Sequence, residues 1–287
     1  MIDNHVHNLF ELRRPLSQEA TTPWHLRRIQ PELNGGKISQ EELTRLADSP
    51  LATTLTISGL EQKTFEFLCK NFGTQFTAIH FWKCPRIVDL SPLEDMPQLT
   101  HVALFWNQRA TRLWTLERTP LLRGLHFDDF TKLQDLTDLA AASSLEDLAF
   151  GNANWSKFVV PSLEPLSGLS HLQSLAFRVK AVIDNKIQPL ANLTHLAELS
   201  FSANLFTTSQ LAWLRAHLPA TVSATVLAPY QQLRQPLTTR GKKLDVLISG
   251  KGKPFLSSET DSVKLSRYIT EFNKMVLQFS DNAQLEP

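Results

Sequence analysis

The stretch LTHVALFWN (Leu99–Asn107) has apolar residues at its first, fourth and sixth positions, and this pattern returns along the chain. The other copies are ATTLTISGL from Ala52, FTAIHFWKC from Phe76, LRGLHFDDF from Leu122, LEDLAFGNA from Leu145, LQSLAFRVK from Leu172 and LAELSFSAN from Leu196. The copies thus begin at positions 52, 76, 99, 122, 145, 172 and 196, and only the step from 145 to 172 is clearly longer than the others. A near-constant period of roughly two dozen positions predicts a stack of short structural repeats.

The repeated stretch resembles the leucine-rich repeat, whose signature is L-x-x-L-x-L-x-x-N/C-x-L. The segments LSPLEDMPQL, LEPLSGLSHL and IQPLANLTHL, which end at Leu99, Leu172 and Leu196, resemble the returning limb of its short bacterial subtype. The resemblance implies an α/β leucine-rich-repeat solenoid, a horseshoe with one parallel sheet on its concave side. The repeats occupy residues 51–219, so we expect a helical N-terminal cap in residues 1–50 and a small α+β extension in residues 220–287.

Local signals predict the two ends and two irregular places. ISQEELTRLADSP reads as a cap helix, with Ser39 and Glu42 at the spacing of a capping box. After the repeats, KKLDVLIS predicts a strand and DSVKLSRYITEFNKMVLQF an amphipathic helix. The ninth repeat position should be Asn or Cys, yet several copies depart from this, so we expect an irregular horseshoe. The long step from 145 to 172 predicts a loop around residues 154–161.

Bulk composition restricts the function classes. The formal net charge of the 287-residue chain is +1, which argues against a dedicated nucleic-acid binder. The sequence has no apolar run of the ~18 residues that span a membrane and no secretory signal, so we expect a cytoplasmic protein, with export by another route left open. Its two cysteines, Cys69 and Cys84, are too few for a disulfide framework and read as structural.

The repeat register predicts which side chains face the concave side. In each copy, positions 4 and 6 point into the core, and positions 3, 5, 7 and 8 point to the concave surface. The aromatic residues Trp82, Phe105 and Trp106 fall there in neighbouring repeats and have the character of binding hot spots. We therefore predict a protein-binding site with these anchors and a polar surround of His80, Lys83, His101, His126, Asp128 and Asp129.

Two other interpretations of this surface stay open. The N-terminal cap or the C-terminal extension covers the aromatics and makes them ordinary core, with the small residues of the later repeats as a landing site for the extension. Alternatively the histidines act in catalysis, but His80 and His126 lie two strands apart, which is ~9.6 Å and too far to share one zinc ion. We expect no enzymatic activity and no cofactor.

The chain also opens with MIDNHVHNLF, a start shared by many metal-dependent hydrolases. A hydrolase of that type needs a barrel and further ligands, whereas a repeat array follows His5 and His7, so this remains a distant alternative. The resemblance to repeat proteins of bacterial style suggests an immunity protein that neutralises a cognate toxin. A secreted bacterial effector that binds a host protein is the second option.

Overall fold

The computed structural model describes residues 23–152, 158–239, 241–282 and 284–287. In chain order its strands are β1 (His25–Arg28), β2 (Thr54–Ile57), β3 (Ala78–Trp82), β4 (His101–Phe105), β5 (Gly124–Asp128), β6 (Asp147–Gly151), β7 (Val159–Val160), β8 (Ser174–Arg178), β9 (Ala181–Val182), β10 (Glu198–Ser200), β11 (Tyr230–Thr239), β12 (Lys242–Ile248) and β13 (Phe255–Leu256). Its α-helices are α1 (Gln40–Thr44), α2 (Gln62–Phe72), α3 (Thr208–His217) and α4 (Ser262–Asp281).

The predicted leucine-rich-repeat solenoid is confirmed. Eight strands form one sheet in the order β1-β2-β3-β4-β5-β6-β8-β10, and every neighbouring pair is parallel. The chain returns between most strands through short 3-10 turns, at Ser91–Asp95, Leu116–Arg118, Thr137–Ala141, Glu164–Leu166 and Gln188–Asn192. No repeat buries its apolar face alone, so the stack is stable because neighbouring repeats cover one another.

The core is built from the fourth and sixth repeat positions. At the sixth position, the rings of Phe127 and Phe150 stack with centroids 5.5 Å apart, Phe150 and Phe177 at 5.4 Å, and Phe177 and Phe201 at 5.0 Å. Offset stacking of this kind adds to the hydrophobic gain from burial. The ladder of rings therefore joins the repeats along the axis of the solenoid.

The ninth repeat position closes the turn after the strand where it is Asn. The amide nitrogen of buried Asn107 donates to the carbonyl oxygen of Ile87 at 3.0 Å, and its oxygen accepts from the backbone N–H groups of Arg109 and Ala110, both at 2.9 Å. Where the position is Phe130, the ring packs edge-on against Phe127 instead. The turn is thus stabilised by hydrogen bonds in one repeat and by apolar packing in another.

The ends of the solenoid differ in part from expectation. Ser39 and Glu42 form the predicted capping box on α1, but β1 extends the sheet into residues assigned to a helical cap. The predicted strand and helix of the extension are β12 and α4, and α4 packs against α3 at the end of the stack. In the predicted loop, residues 153–157 lie outside the described residues, while β7 pairs with β9.

Candidate functional site

The parallel register brings the seventh repeat positions into one row across the sheet. Trp82 pairs with Phe105, Phe105 with Asp128, Asp128 with Gly151, and Gly151 with Arg178. Each of these residues ends its strand, so the row follows the carboxyl-terminal edge of the concave sheet. We use the name aromatic edge for the first part of this row together with the eighth positions beside it: Trp82, Lys83, Phe105, Trp106, Asp128 and Asp129.

The aromatic edge is organised by ring contacts. The rings of Trp82 and Phe105 stack with centroids 4.4 Å apart and planes inclined by 15°, and the ring of His80 meets Trp82 edge-on at 5.6 Å. The Lys83 ammonium lies 5.4 Å from the Trp82 ring centroid and 5.7 Å from that of Trp106. A cation between two indole faces is attracted by both quadrupoles, which holds the tryptophans in fixed positions.

An unusual backbone conformation presents the eighth-position side chains. Lys83, Trp106 and Asp129 have φ angles of 53°, 61° and 58°, and Gly59 occupies the same position of the preceding repeat at 75°. A left-handed conformation costs ~1–2 kcal/mol for a residue with a Cβ, and such strain is often found at ligand-contacting positions. This conformation occurs in three successive repeats, where it places the Lys83 ammonium, the Trp106 indole and the Asp129 carboxylate at the end of the strand.

A charged pair marks the far limit of the aromatic edge. The Asp128 carboxylate accepts from the Arg178 guanidinium at 3.1 Å, and its other oxygen accepts from the Asp129 backbone N–H at 3.0 Å. Gly151 lies between the two partners in the row, and a Cβ there would meet the Arg178 carbonyl oxygen at 2.5 Å. Only a residue without a side chain leaves room for Arg178 to reach Asp128 across one repeat.

Exposure divides the nine predicted contact residues into two groups. Five are partly exposed: Lys83, His101, Phe105, Trp106 and Asp129. Four are buried, with 4–8% of their surface exposed: His80, Trp82, His126 and Asp128. The buried ring of Trp82 therefore supports the face of the Phe105 ring, while Phe105 and Trp106 carry the accessible aromatic surface.

The expectation that fifth-position side chains face solvent is wrong for the first strands. Thr56, His80, Ala103, His126 and Ala149 are all buried, and Ser200 near the other end is exposed. On a concave surface the side chains of adjacent strands converge, and large neighbours cover them. The seventh-position rings do this to His80, whereas the small side chains of the last strands leave Ser200 open.

The histidines do not form a metal site within the part of the chain that the structure describes. Ala103 separates His80 from His126 in the register, as predicted, and no cluster of three potential metal ligands occurs among these residues. Burial, together with nearby His25 and Arg27, lowers the pKa of His80 to about 3, so its imidazole is neutral at physiological pH. His5 and His7 lie outside the described residues.

Both cysteines are buried free thiols, as a structural role requires. Burial raises the pKa of the Cys84 thiol to about 12 and also raises the pKa of the Cys69 thiol well above its ordinary value. A thiol acts as a nucleophile only as its thiolate. Neither side chain is therefore primed for covalent chemistry.

The later strands carry a second concave feature, which the sequence suggested only as a landing site for the extension. A cavity of about 760 Å³ lies over them, and its lining includes Ser174, Ala176, Arg178, Glu198, Ser200 and Ser202. Of the extension, Ser223 and Thr225 border this cavity, and α4 packs elsewhere, against α3. Among the described residues the extension therefore borders this cavity, and α4 does not cover it.

Sequence reasoning also missed two sets of charged residues. Arg178 occupies the seventh position of its repeat, but its pairing with Asp128 depends on the gap at Gly151. Arg86, Arg109 and Lys132 occupy the same position of three consecutive repeats, so the period that identified the repeats also contains the signal for these basic residues.

No helix among the described residues has the length and apolar character needed to cross a membrane.

Comparison with known proteins finds similarity among solved structures alone, since no protein-family model and no curated protein matches the chain. An internalin (InlF) of Listeria monocytogenes is 23% identical with a TM-score of 0.39, over 62% of this chain and 48% of its own. An internalin C2 of the same species is 23% identical with a TM-score of 0.44, over 66% and 74%. A leucine-rich-repeat protein of Leptospira interrogans is 15% identical with a TM-score of 0.48, over 71% and 51%. This chain spans about half the length of the first and third of these proteins.

Proposed function

We propose that this chain is a protein-binding module without catalytic activity of its own, and that its protein partner docks on the aromatic edge. The main observation behind this proposal is that Lys83, Trp106 and Asp129 have a left-handed backbone conformation in three successive repeats. Non-glycine residues in this conformation cluster at ligand-contacting positions, and this supports the proposal. The partner's surface would meet an indole, a cation and a carboxylate side by side.

The ring contacts support the same proposal. Phe105 and Trp106 are partly exposed, and both are fixed, one by stacking on Trp82 and the other by the Lys83 ammonium. Aromatic side chains held in place before binding lose little conformational entropy when a partner covers them. A surface of this kind fits an apolar or aromatic anchor from another protein.

The chemistry of the edge favours binding over catalysis. His80, whose ring contacts Trp82, is buried and neutral with a pKa of about 3, which is far from the range that suits a general base at neutral pH. The Asp128 carboxylate is already engaged by Arg178 and by a backbone N–H. These groups hold the site in shape, as does the Lys83 ammonium, which donates to the Leu33 carbonyl oxygen at 2.9 Å. The contact itself is left to Phe105 and Trp106.

The biological setting belongs to the same proposal. A toxin-neutralising immunity protein and a secreted effector that binds a host protein both need such a surface, and the structure favours neither. We keep the immunity role and a cytoplasmic location as predictions. The hydrolase alternative is tested by the metal content of the purified chain, compared with that of a His5→Ala/His7→Ala variant.

The test is affinity capture from a lysate of the organism that makes the chain, read by mass spectrometry. The site variant is Phe105→Ala/Trp106→Ala, because both side chains are partly exposed, whereas replacing buried Trp82 would also disturb the core. The matched control is Ser200→Ala/Ser202→Ala, in exposed residues at the other end of the sheet. Circular dichroism establishes that both variants are folded.

We expect one dominant protein that the wild-type chain and the control retain and the site variant loses. A protein that the site variant retains would place the interface away from the aromatic edge. The absence of any protein retained by the wild-type chain would contradict the binding proposal itself.

A further inference from the structure

A row of three basic side chains runs along the rim of the solenoid beside the aromatic edge. Each occupies the eleventh position of its repeat, so the row crosses three consecutive repeats. All three residues are exposed. They line a cavity of about 620 Å³ together with two apolar residues and one amide: Pro85, Arg86, Val88, Gln108, Arg109 and Lys132. We use the name basic row for Arg86, Arg109 and Lys132.

The chain's own carboxylates neutralise little of the basic row. Glu61 accepts from Arg86 at 2.7 Å but also pairs with Lys37 at 2.9 Å, so one carboxylate serves two cations. Neither Arg109 nor Lys132 forms an ion pair with any described residue. Like charges on adjacent repeats repel, and a bound anion would replace that repulsion with attraction.

The spacing of the row points to an extended ligand. Neighbouring strands of the sheet are ~4.8 Å apart, and successive side chains on one face of an extended peptide are ~7 Å apart. The long side chains of arginine and lysine span the difference between these two spacings over three repeats. An extended peptide with acidic residues at alternate positions therefore places one carboxylate within reach of each cation.

The apolar residues in its lining distinguish this cavity from a surface that carries charges alone. Val88 is 50% exposed, and Pro85 lies beside Arg86 in the same turn. Each basic residue also follows an eighth-position residue of the aromatic edge by three positions, a reach of ~10 Å along the chain. At most ~10 Å of chain therefore separates the basic row from the aromatic edge, so one partner can contact both.

We propose that the basic row binds an extended acidic segment of the protein partner, with carboxylates at alternate positions facing Arg86, Arg109 and Lys132. The inference rests on the proposed function, because it describes the chemistry of the partner that docks on the aromatic edge. Arg109 and Lys132 carry most of the attraction since Arg86 already shares Glu61. A nucleic acid is the competing anion, and the chain's formal net charge of +1 disfavours it.

The test measures fluorescence anisotropy of labelled probes with the full chain at low salt. The first probe is a short peptide that alternates Glu and Thr and is long enough to cross all three repeats, the second has Gln in place of each Glu, and the third is a single-stranded oligonucleotide. The site variant is Arg109→Glu/Lys132→Glu. The control, Lys70→Glu/Arg118→Glu, makes the same charge change at exposed residues on the returning limbs.

We expect the wild-type chain to bind the Glu peptide and not the Gln peptide, and the site variant to weaken this binding at least tenfold. The control variant should bind like the wild type, and added salt should weaken every complex because exposed charges are screened. Equal binding by the site variant, equal binding of the Gln peptide or no binding of the Glu peptide would overturn the inference. Tighter binding of the oligonucleotide, lost in the same variant, would overturn it in favour of a nucleic-acid site.

Affinity capture and peptide binding together separate this inference from the proposed function. The Glu peptide has no aromatic anchor, so its binding reports on the basic row and not on the aromatic edge. If affinity capture fails while the peptide binds through the basic row, the proposed aromatic site is wrong and the basic row remains a binding site for acidic peptides. If capture succeeds and the peptide does not bind, the partner uses the aromatic edge alone.

Discussion

Strands β3 to β5 and the later strands of the concave sheet share a backbone and a core, yet their exposed edges differ in side chains. From β3 to β5 the seventh positions are Trp82, Phe105 and Asp128, and from β6 to β10 they are Gly151, Arg178 and Ser202. Bulky groups fill the first part, and the second part leaves an open cavity. In a stacked array, surface positions vary along the chain while the core positions keep the fold constant.

The largest expected effect concerns the part that both regions share. Phe150 is 2% exposed and stacks between Phe127 and Phe177, so Phe150→Ala removes a ring at the boundary of the two regions. We expect the free energy of unfolding to fall by ~3–5 kcal/mol, as for other buried aromatic truncations. Urea unfolding measures this change. A loss below ~1 kcal/mol, the size of an ordinary point substitution, would mean that the ring ladder does not couple the repeats.

The second effect is a pH dependence of the free energy of unfolding that arises in the first region and not in the later strands. The pKa of His80 is about 3 in the folded chain against an ordinary value of 6.5, so between these values the unfolded chain binds more protons. The free energy of unfolding therefore falls as pH drops below ~6.5, by ~2 kcal/mol at pH 5, and this contribution is constant above pH 7. The later strands have Ala149 and Ala176 in this column and add no such dependence.

The measurement for this prediction is urea unfolding at pH 7.5 and pH 5, for the wild type and for His80→Gln. The variant has no imidazole to protonate on unfolding, so ~2 kcal/mol of the pH-dependent change should disappear, whatever its stability at pH 7.5. An unaltered pH dependence would show that His80 is protonated in the folded chain or solvated there.

The smallest effect tests the strained presentation of Trp106. At a φ of 61° glycine pays no steric penalty and alanine does, so Trp106→Gly should be more stable than Trp106→Ala by ~1 kcal/mol. In a helix or a strand the order would be reversed. Thermal unfolding of the two variants decides the sign, and a more stable alanine variant would remove the argument from strain.

The fold was predictable because its cause is periodic. Positions 4 and 6 must be apolar in every repeat to build the shared core, and this repetition is visible in the sequence without any knowledge of contacts. The capping box at Ser39 and Glu42 and the strand and helix of the extension also followed from local rules. β1 was missed because its four residues, His25–Arg28, lie between prolines and carry no alternating pattern.

The candidate site was predictable as a set of positions and not as a surface. The register placed Trp82 beside Phe105, but the burial of His80 and Trp82 depends on the curvature of the sheet and on the size of neighbouring side chains. The left-handed conformation of Trp106 had no signal at that residue itself, because glycine or asparagine is the residue that would indicate it, and Gly59 occupies this position only in an earlier repeat. The basic row had a signal, which apolar periodicity alone does not reveal.

The most direct test of the central claim is site-specific photo-crosslinking in a lysate of the organism that makes the chain. A photoreactive phenylalanine analogue replaces Phe105 in one variant and exposed Ser200, at the other end of the sheet, in a second. The account predicts that a single protein crosslinks at position 105 and that none crosslinks at position 200. The same protein crosslinked at position 200 alone, or no crosslink at either position, would contradict a binding site on the aromatic edge.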